Sequence, residues 1–219
     1  MDLFQALPSL RHHPLLERKN VTLIGISTIV RDDSAFVFEI NGPRYWKADP
    51  DGSTIVSVGG LGGTIDQATA VAACLRQTGD DALGTQLQLE MAPQTYLVND
   101  WQIVETVTLR PSRKRPVPLM VILFPPQLGG PGTPDHLAIL AFLTRMRGTA
   151  TPQDVFGLLR IERQVAAEVF ARDQWPVLEM EAQPGFELHP NGVLPDNPIL
   201  RPALTARAFQ ALVRAGHAT

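Results

Sequence analysis

The sequence predicts a mixed α/β (α+β) fold, one mixed sheet with helices packed against it. Three observations lead there. Runs rich in β-branched and aromatic residues recur through the first two thirds of the chain. A single glycine-flanked helical segment interrupts them early, between Gly59 and Gly84. Further helical segments gather in the last third, including an amphipathic one over Thr205–Ala215.

Taken in order, Val21–Val30 (VTLIGISTIV) reads as a strand, Asp32-Asp33-Ser34 as a turn, and Ala35–Ile40 (AFVFEI) as the returning strand of a hairpin. Asn41–Lys47 and Asp49–Gly52 read as a loop and a turn. Thr54–Val58 is a short strand that leads into a glycine-rich turn, GGLGG. Ala70–Ala82 reads as a helix with Thr69 as N-cap, an apolar stripe of Val71, Cys74 and Leu75, and Gly84 as its C-terminal cap. Gly79 weakens its last turn, because glycine costs about 1 kcal/mol relative to alanine inside a helix. Thr85–Glu90, Thr95–Val98, Trp101–Arg110, Leu119–Phe124 and Leu137–Arg145 read as strands. Between them, Arg110–Pro118 and Gln127–Pro134 read as loops. Pro152–Leu159 is expected to be helical, with Thr151 as N-cap and Pro152 at the first position. Ile161–Arg172 is a second helical run, Gln183–Pro202 a proline-rich loop, and Thr205–Ala215 a final helix capped by Thr205. No internal repeat and no long linker divides the chain, so residues 1–219 are expected to form a single domain. Residues 1–20 would be its N-terminal lead-in and residues 183–219 its closing loop and helix.

Composition narrows the function class. Of 219 residues, 44% are hydrophobic and 19% charged, enough to bury a core. A net charge of -3 gives no basic excess, so nucleic-acid binding is not expected. Cys74 is the only cysteine, which excludes an internal disulfide and suits a reducing compartment. The N-terminus lacks the pattern of a secretory signal. The longest apolar runs, near Pro118–Pro126 and Leu137–Leu143, fall short of the roughly 20 residues of a membrane helix. The expectation is a cytoplasmic protein with no membrane contact.

Several residues invite a functional reading and a plainer one. Arg110, Arg113, Lys114 and Arg115 could meet an anion, but a solvated loop is favoured. Tyr45 and Trp46 could stack on a base or pack over the sheet, and packing is favoured. Cys74 lies on the apolar stripe and reads as a small core residue. His12 and His13 have no matching Cys/His group for a metal. Ser9, Ser27 and Ser57 lack the G-x-S-x-G context of a serine hydrolase. GGLGG is not the G-x-G-x-x-G of a dinucleotide fold.

The segment GGLGGTIDQATAVAACLRQTGDDALG, from Gly59 to Gly84, resembles the box of Nudix hydrolases. The family pattern is Gly, five residues, Glu, seven residues, Arg-Glu, an aliphatic, any residue, Glu-Glu, any residue, Gly, aliphatic. Counted from Gly63, this spacing reaches Gly84 without a gap. The flanking FEINGPRYWK, DPDGSTIVSVGGLGG, DVFGLLRI and ILRPALTARAF are similar to elements before and after the box in one group of these enzymes. The resemblance implies an α/β/α sandwich, Mg or Mn as cofactor, a homodimer, and hydrolysis of a nucleoside diphosphate linked to another moiety. Its carboxylates at i, i+3 and i+4 share one helix face and hold a hard cation. Here those positions are Thr78, Asp81 and Ala82, while Thr69 and Gln77 stand where the family has a Glu–Arg pair. Losing both members strands no buried charge. The box is therefore degenerate, and catalysis is expected to be impaired or lost; the alternative is a non-catalytic nucleotide-binding or protein-interaction module. The remaining metal candidates are Asp66, Asp80 and Asp81, with Asp81 as the catalytic candidate. Asp80 and Asp81 point about 100° apart on a helix, so a common ion requires an unwound turn at Gly79. Distant Glu39, Glu105 or Glu168 could add a ligand. By the same resemblance Gly60, Gly62, Gly63, Arg44, Tyr45 and Trp46 lie on the substrate side.

Overall fold

The computed structural model describes residues 1–17, 19–64, 71–110, 116–124 and 136–217. Its strands are β1 (Val21–Arg31), β2 (Ala35–Ile40), β3 (Lys47–Ala48), β4 (Thr54–Gly59), β5 (Leu61–Thr64), β6 (Gln86–Leu89), β7 (Thr95–Asn99), β8 (Gln102–Val107), β9 (Met120–Phe124), β10 (His136–Arg147), β11 (Gly157–Glu162), β12 (Trp175–Pro176), β13 (Phe186–Pro190) and β14 (Pro198–Pro202). Its helices are α1 (Leu3–Ala6), α2 (Val71–Thr78), α3 (Arg163–Ala171), α4 (Val177–Met180) and α5 (Leu204–Arg214). None of the described helices is long and apolar enough to cross a membrane.

The strands form one mixed sheet whose main path runs β12-β14-β4-β2-β1-β10-β9-β7-β8. β1 and β10 pair in parallel at its centre, as do β7 with β9 and β14 with β4, while the other pairs are antiparallel. Alternation along β9 shows both faces covered. Met120, Ile122 and Phe124 pack with Phe170 of α3 and Phe209 of α5. Val121 and Leu123 point the other way, to Leu3 and Phe4 of α1 and Cys74 and Leu75 of α2. This is the expected helix–sheet–helix layering. In the N-terminal stretch, Leu3, Leu7, Leu10 and Leu16 are buried in the second of these cores.

β1 carries a bulge. Leu23 faces Ala138 and Gly25 faces Ile139, so Ile24 is the extra residue. It resets the alternation: Val21 and Leu23 before it, and Ile26 after it, all face the α2 side. Beyond the bulge, Thr28 and Thr144 share a buried hydroxyl–hydroxyl hydrogen bond across the parallel pair. The β1–β2 turn is the expected one. Asp32 accepts from the backbone N–H groups of Ser34 (2.7 Å) and Ala35 (2.6 Å). Burial works against the Asp32 carboxylate, but these bonds, the Ser34 hydroxyl and the Arg160 charge outweigh it and hold it below the ordinary carboxylate range.

Four segments differ from the sequence expectation. GGLGG is not a turn, because Leu61–Thr64 is strand β5, paired antiparallel with β1. Pro152–Leu159 is not a helix, because Gly157–Glu162 is strand β11, held between β2 and β13. Leu158 faces one core and Leu159 and Ile161 the other, which is the period of a strand. The proline-rich 183–202 region contains β13 and β14, with Pro198 and Pro202 at the two ends of β14. The last helix begins at Leu204 after Ala203, and Thr205 is buried inside it instead of capping it. Residues 111–115 and 125–135 lie outside the described residues, so most of the basic loop Arg110–Pro118, with Arg113, Lys114 and Arg115, falls there.

Candidate functional site

α2 does not end as a regular α-helix. After Thr78 the chain makes one wider, π-helical turn over Gly79–Leu83, and Gly84 closes it in the left-handed conformation at φ 59°. Gly79 is required there: a Cβ would lie 2.7 Å from the Thr85 carbonyl oxygen and 2.8 Å from Leu87 Cγ. The carbonyls left open at this end are met by the segment after β10. Asp154 N–H donates to Asp81 O (3.1 Å), Gln153 N–H to Ala82 O (3.1 Å) and Thr151 N–H to Leu83 O (3.0 Å). Asn191, between β13 and β14, steadies that segment by donating to Gln153 O (2.8 Å) and Val155 O (3.2 Å).

These contacts shape a cavity of about 380 Å³. Gln77, Thr78, Asp81 and Ala82 line it from the helix and π turn, Gly62 and Gly63 from β5, Glu39 from β2, and Asp154 from the segment after β10. The positions spaced i, i+3 and i+4 (Thr78, Asp81, Ala82) thus do share one wall. Thr78 directs its hydroxyl to Cys74 O at 2.9 Å, a bond back into its own helix.

The sequence-derived candidates separate. Asp80 and Asp81 are both exposed, and of the two only Asp81 is among the residues that line the cavity. Asp66 and Thr69 lie outside the described residues. Gly62 and Gly63 line the cavity with different constraints: a Cβ on Gly62 would lie 2.2 Å from Ile26 O, and one on Gly63 would meet nothing within 4 Å. Gly60 does not line it and is pressed against Ser27 and Thr205 instead. Arg44, Tyr45 and Trp46 also stand off it. Arg44 lies over the exposed Tyr45 ring at 4.6 Å. Trp46 packs edge-on to Phe156 at 5.3 Å and donates from Nε1 to Asn41 O at 2.8 Å. Cys74 is buried beside Leu75 as expected, and burial pushes its thiol up, away from thiolate chemistry.

Glu39 was only a distant reserve in the sequence, and Asp154 was hidden in a segment that reads as helix; both stand on the cavity with Asp81. Of the other reserves, Glu105 faces His13 at 3.2 Å and Glu168 is exposed on α3. Three carboxylate residues, Glu39, Asp81 and Asp154, line the cavity, and no Lys, Arg or His does so among the described residues. Burial raises the Glu39 carboxyl above its ordinary range, and the Arg44 charge offsets part of that. For Mg or Mn the fit fails on the described residues, where no three His, Cys, Asp or Glu side chains gather closely enough to hold an ion.

No protein-family model matches the chain, and no curated protein sequence matches it. Among solved structures, the chain is similar to the ORF135 protein of E. coli at 10% identity and a TM-score of 0.37, over 68% of this chain and 79% of that one. It is similar to a possible asymmetric diadenosine tetraphosphate hydrolase of Jonesia denitrificans at 15% identity and a TM-score of 0.39, over 68% of this chain and 83% of that one. It is also similar to a Nudix family hydrolase of Clostridium perfringens at 9% identity and a TM-score of 0.36, over 66% of this chain and 83% of that one.

Proposed function

We infer that this chain is a Nudix-type protein that keeps the box as the frame of a pocket while diphosphate hydrolysis is impaired or lost. One observation carries the reading: Thr78, Asp81 and Ala82 line a single cavity at the spacing of the family's acidic face, and only Asp81 is a carboxylate. Thr78 and Ala82 cannot neutralise a hard cation as glutamates would. The pocket's role is then to bind a nucleotide or another small diphosphate, and its own charge limits how. Glu39, Asp81 and Asp154 stand on its walls and no cationic side chain lines it among the described residues, so a phosphate is expected to enter together with a counter-cation.

A second reading is an active hydrolase with a relocated ligand set. The observation in its favour is that Glu39 and Asp154 stand on the same cavity as Asp81. Calorimetric titration with Mn²⁺, combined with a screen of nucleoside diphosphate derivatives, separates the two. The first reading expects weak or no Mn²⁺ binding and no metal-dependent turnover. It also expects Mn²⁺ affinity to appear when Thr78→Glu and Ala82→Glu are combined. Metal-dependent turnover in the native chain that Asp81→Ala abolishes would overturn it and establish the second.

A further inference from the structure

The β7–β8 hairpin turns on Asp100 and Trp101, both at positive φ, 49° and 61°. Asn99 and Gln102 pair directly across it, so this is a two-residue turn of the kind that normally takes Asn-Gly. A bulky side chain in the left-handed region is disfavoured, and such outliers persist where the side chain is wanted. The Trp101 ring is edge-on to Phe124 at 5.6 Å, and the Arg207 guanidinium carbon stands 6.0 Å from its centroid. Together they border a second cavity, of about 390 Å³, lined also by Gln102, Gln210 and Arg214. It lies against α5, on the face of the sheet opposite α2.

The charge of this cavity is the reverse of the first. No Asp or Glu lines it among the described residues. Arg214 is already engaged, donating to Phe170 O (2.8 Å), Ala171 O (3.0 Å) and Asp173 (3.0 Å). Gln210 donates to Phe170 O (3.1 Å) and Arg172 O (2.7 Å). Arg207 makes no ion pair among the described residues, and its recorded partner is the Trp101 ring. The α5 carbonyls that would repel an anion here are covered: Ala211 O accepts from Ala215 N–H (3.1 Å), Val213 O from Gly216 N–H (2.9 Å) and Leu212 O from His217 N–H (2.9 Å).

We propose that this cavity is a second ligand site, in which Arg207 takes an anionic group and the Trp101 ring stacks on a planar ring attached to it. A guanidinium presents its donors in a fork that fits phosphate or carboxylate, and an indole face accepts any flat π system. The ligand class is an aromatic anion, of which a nucleoside monophosphate is the simplest test case. Among the described residues the site shares none with the box cavity, and it does not depend on that reading.

The experiment titrates the full chain with AMP, adenosine and inorganic phosphate, followed by calorimetry and tryptophan fluorescence. AMP is expected to bind at least about tenfold more tightly than either part alone, since stacking and charge each contribute. Arg207→Gln should reduce AMP affinity about tenfold and leave adenosine unchanged. Trp101→Gly, which suits the left-handed turn and so keeps the hairpin, should remove the advantage of AMP over phosphate. Unchanged AMP affinity in both variants overturns the proposal, as does AMP binding that Asp81→Ala abolishes. Absence of AMP binding to the native chain overturns it too.

Discussion

Glu39 is the residue whose environment departs most from what its letter suggests. It sits in β2, beside Gly59 of β4 and Leu158 of β11, with its carboxyl on the acidic cavity. Burial raises its pKa, against a smaller opposing effect of the Arg44 charge, so the folded state holds the proton more tightly than the unfolded chain does. A carboxyl of this kind costs stability once the pH passes its folded pKa, and the cost disappears below its unfolded value. Glu39→Gln is therefore expected to raise the urea midpoint at pH 7, with the gain shrinking as the pH falls through the raised folded pKa and gone below about 4. A midpoint lowered at pH 7 would show that the ionised form makes favourable contacts. Sequence spacing found Asp81 because its neighbours are set by helix periodicity. It could not place Glu39 or Asp154, which reach the cavity through strand pairing and through a backbone clamp from another segment.

At the scale of elements, the long strands were legible and the glycines were misleading. Val21–Arg31 and Ala35–Ile40 declare themselves through β-branched runs on either side of an Asp-Asp-Ser turn. GGLGG suggests a flexible turn because glycine is read for its conformational freedom. In β5 the need is space, since Gly62 lies against the β1 backbone at Ile26 and Ser27. Two neighbouring substitutions test that. Gly62→Ala should cost about 1–3 kcal/mol through overpacking, while Gly63→Ala, with open space around its Cβ, should change stability little. Chemical denaturation of the pair checks it, and equal effects would contradict the strand assignment. The false helix at Pro152–Leu159 has a related cause. Thr151-Pro152 carries the letters of a helix start, yet the N–H groups of Thr151, Gln153 and Asp154 close the carbonyl end of a different helix. Residue type signals a capping role without saying which helix is capped.

For the molecule as a whole, the layering followed from the pattern of runs, but the order of strands did not. Pairing β1 with β10 and β14 with β4 joins segments far apart in the chain, which no local signal reveals. The two ends of the main strand path are blunted. β12 is two residues long and ends in Pro176, and β8 has an unpaired residue, Val104, where its register with β7 shifts. That argues against strand pairing through these two ends as the basis of the homodimer that the family resemblance implies.

The central parallel pair also bears on how the chain reaches this state. Thr28 and Thr144, which touch across β1 and β10, are 116 residues apart. The β1–β2 and β7–β8 hairpins close locally, whereas the middle of the sheet must wait for a long loop to close. Refolding from urea by stopped flow should accordingly take milliseconds to seconds. Pulse-labelled amides of the β7–β8 hairpin should gain protection before those shared by β1 and β10. If the central amides are protected first, assembly begins at the long-range contact and the hairpins follow it.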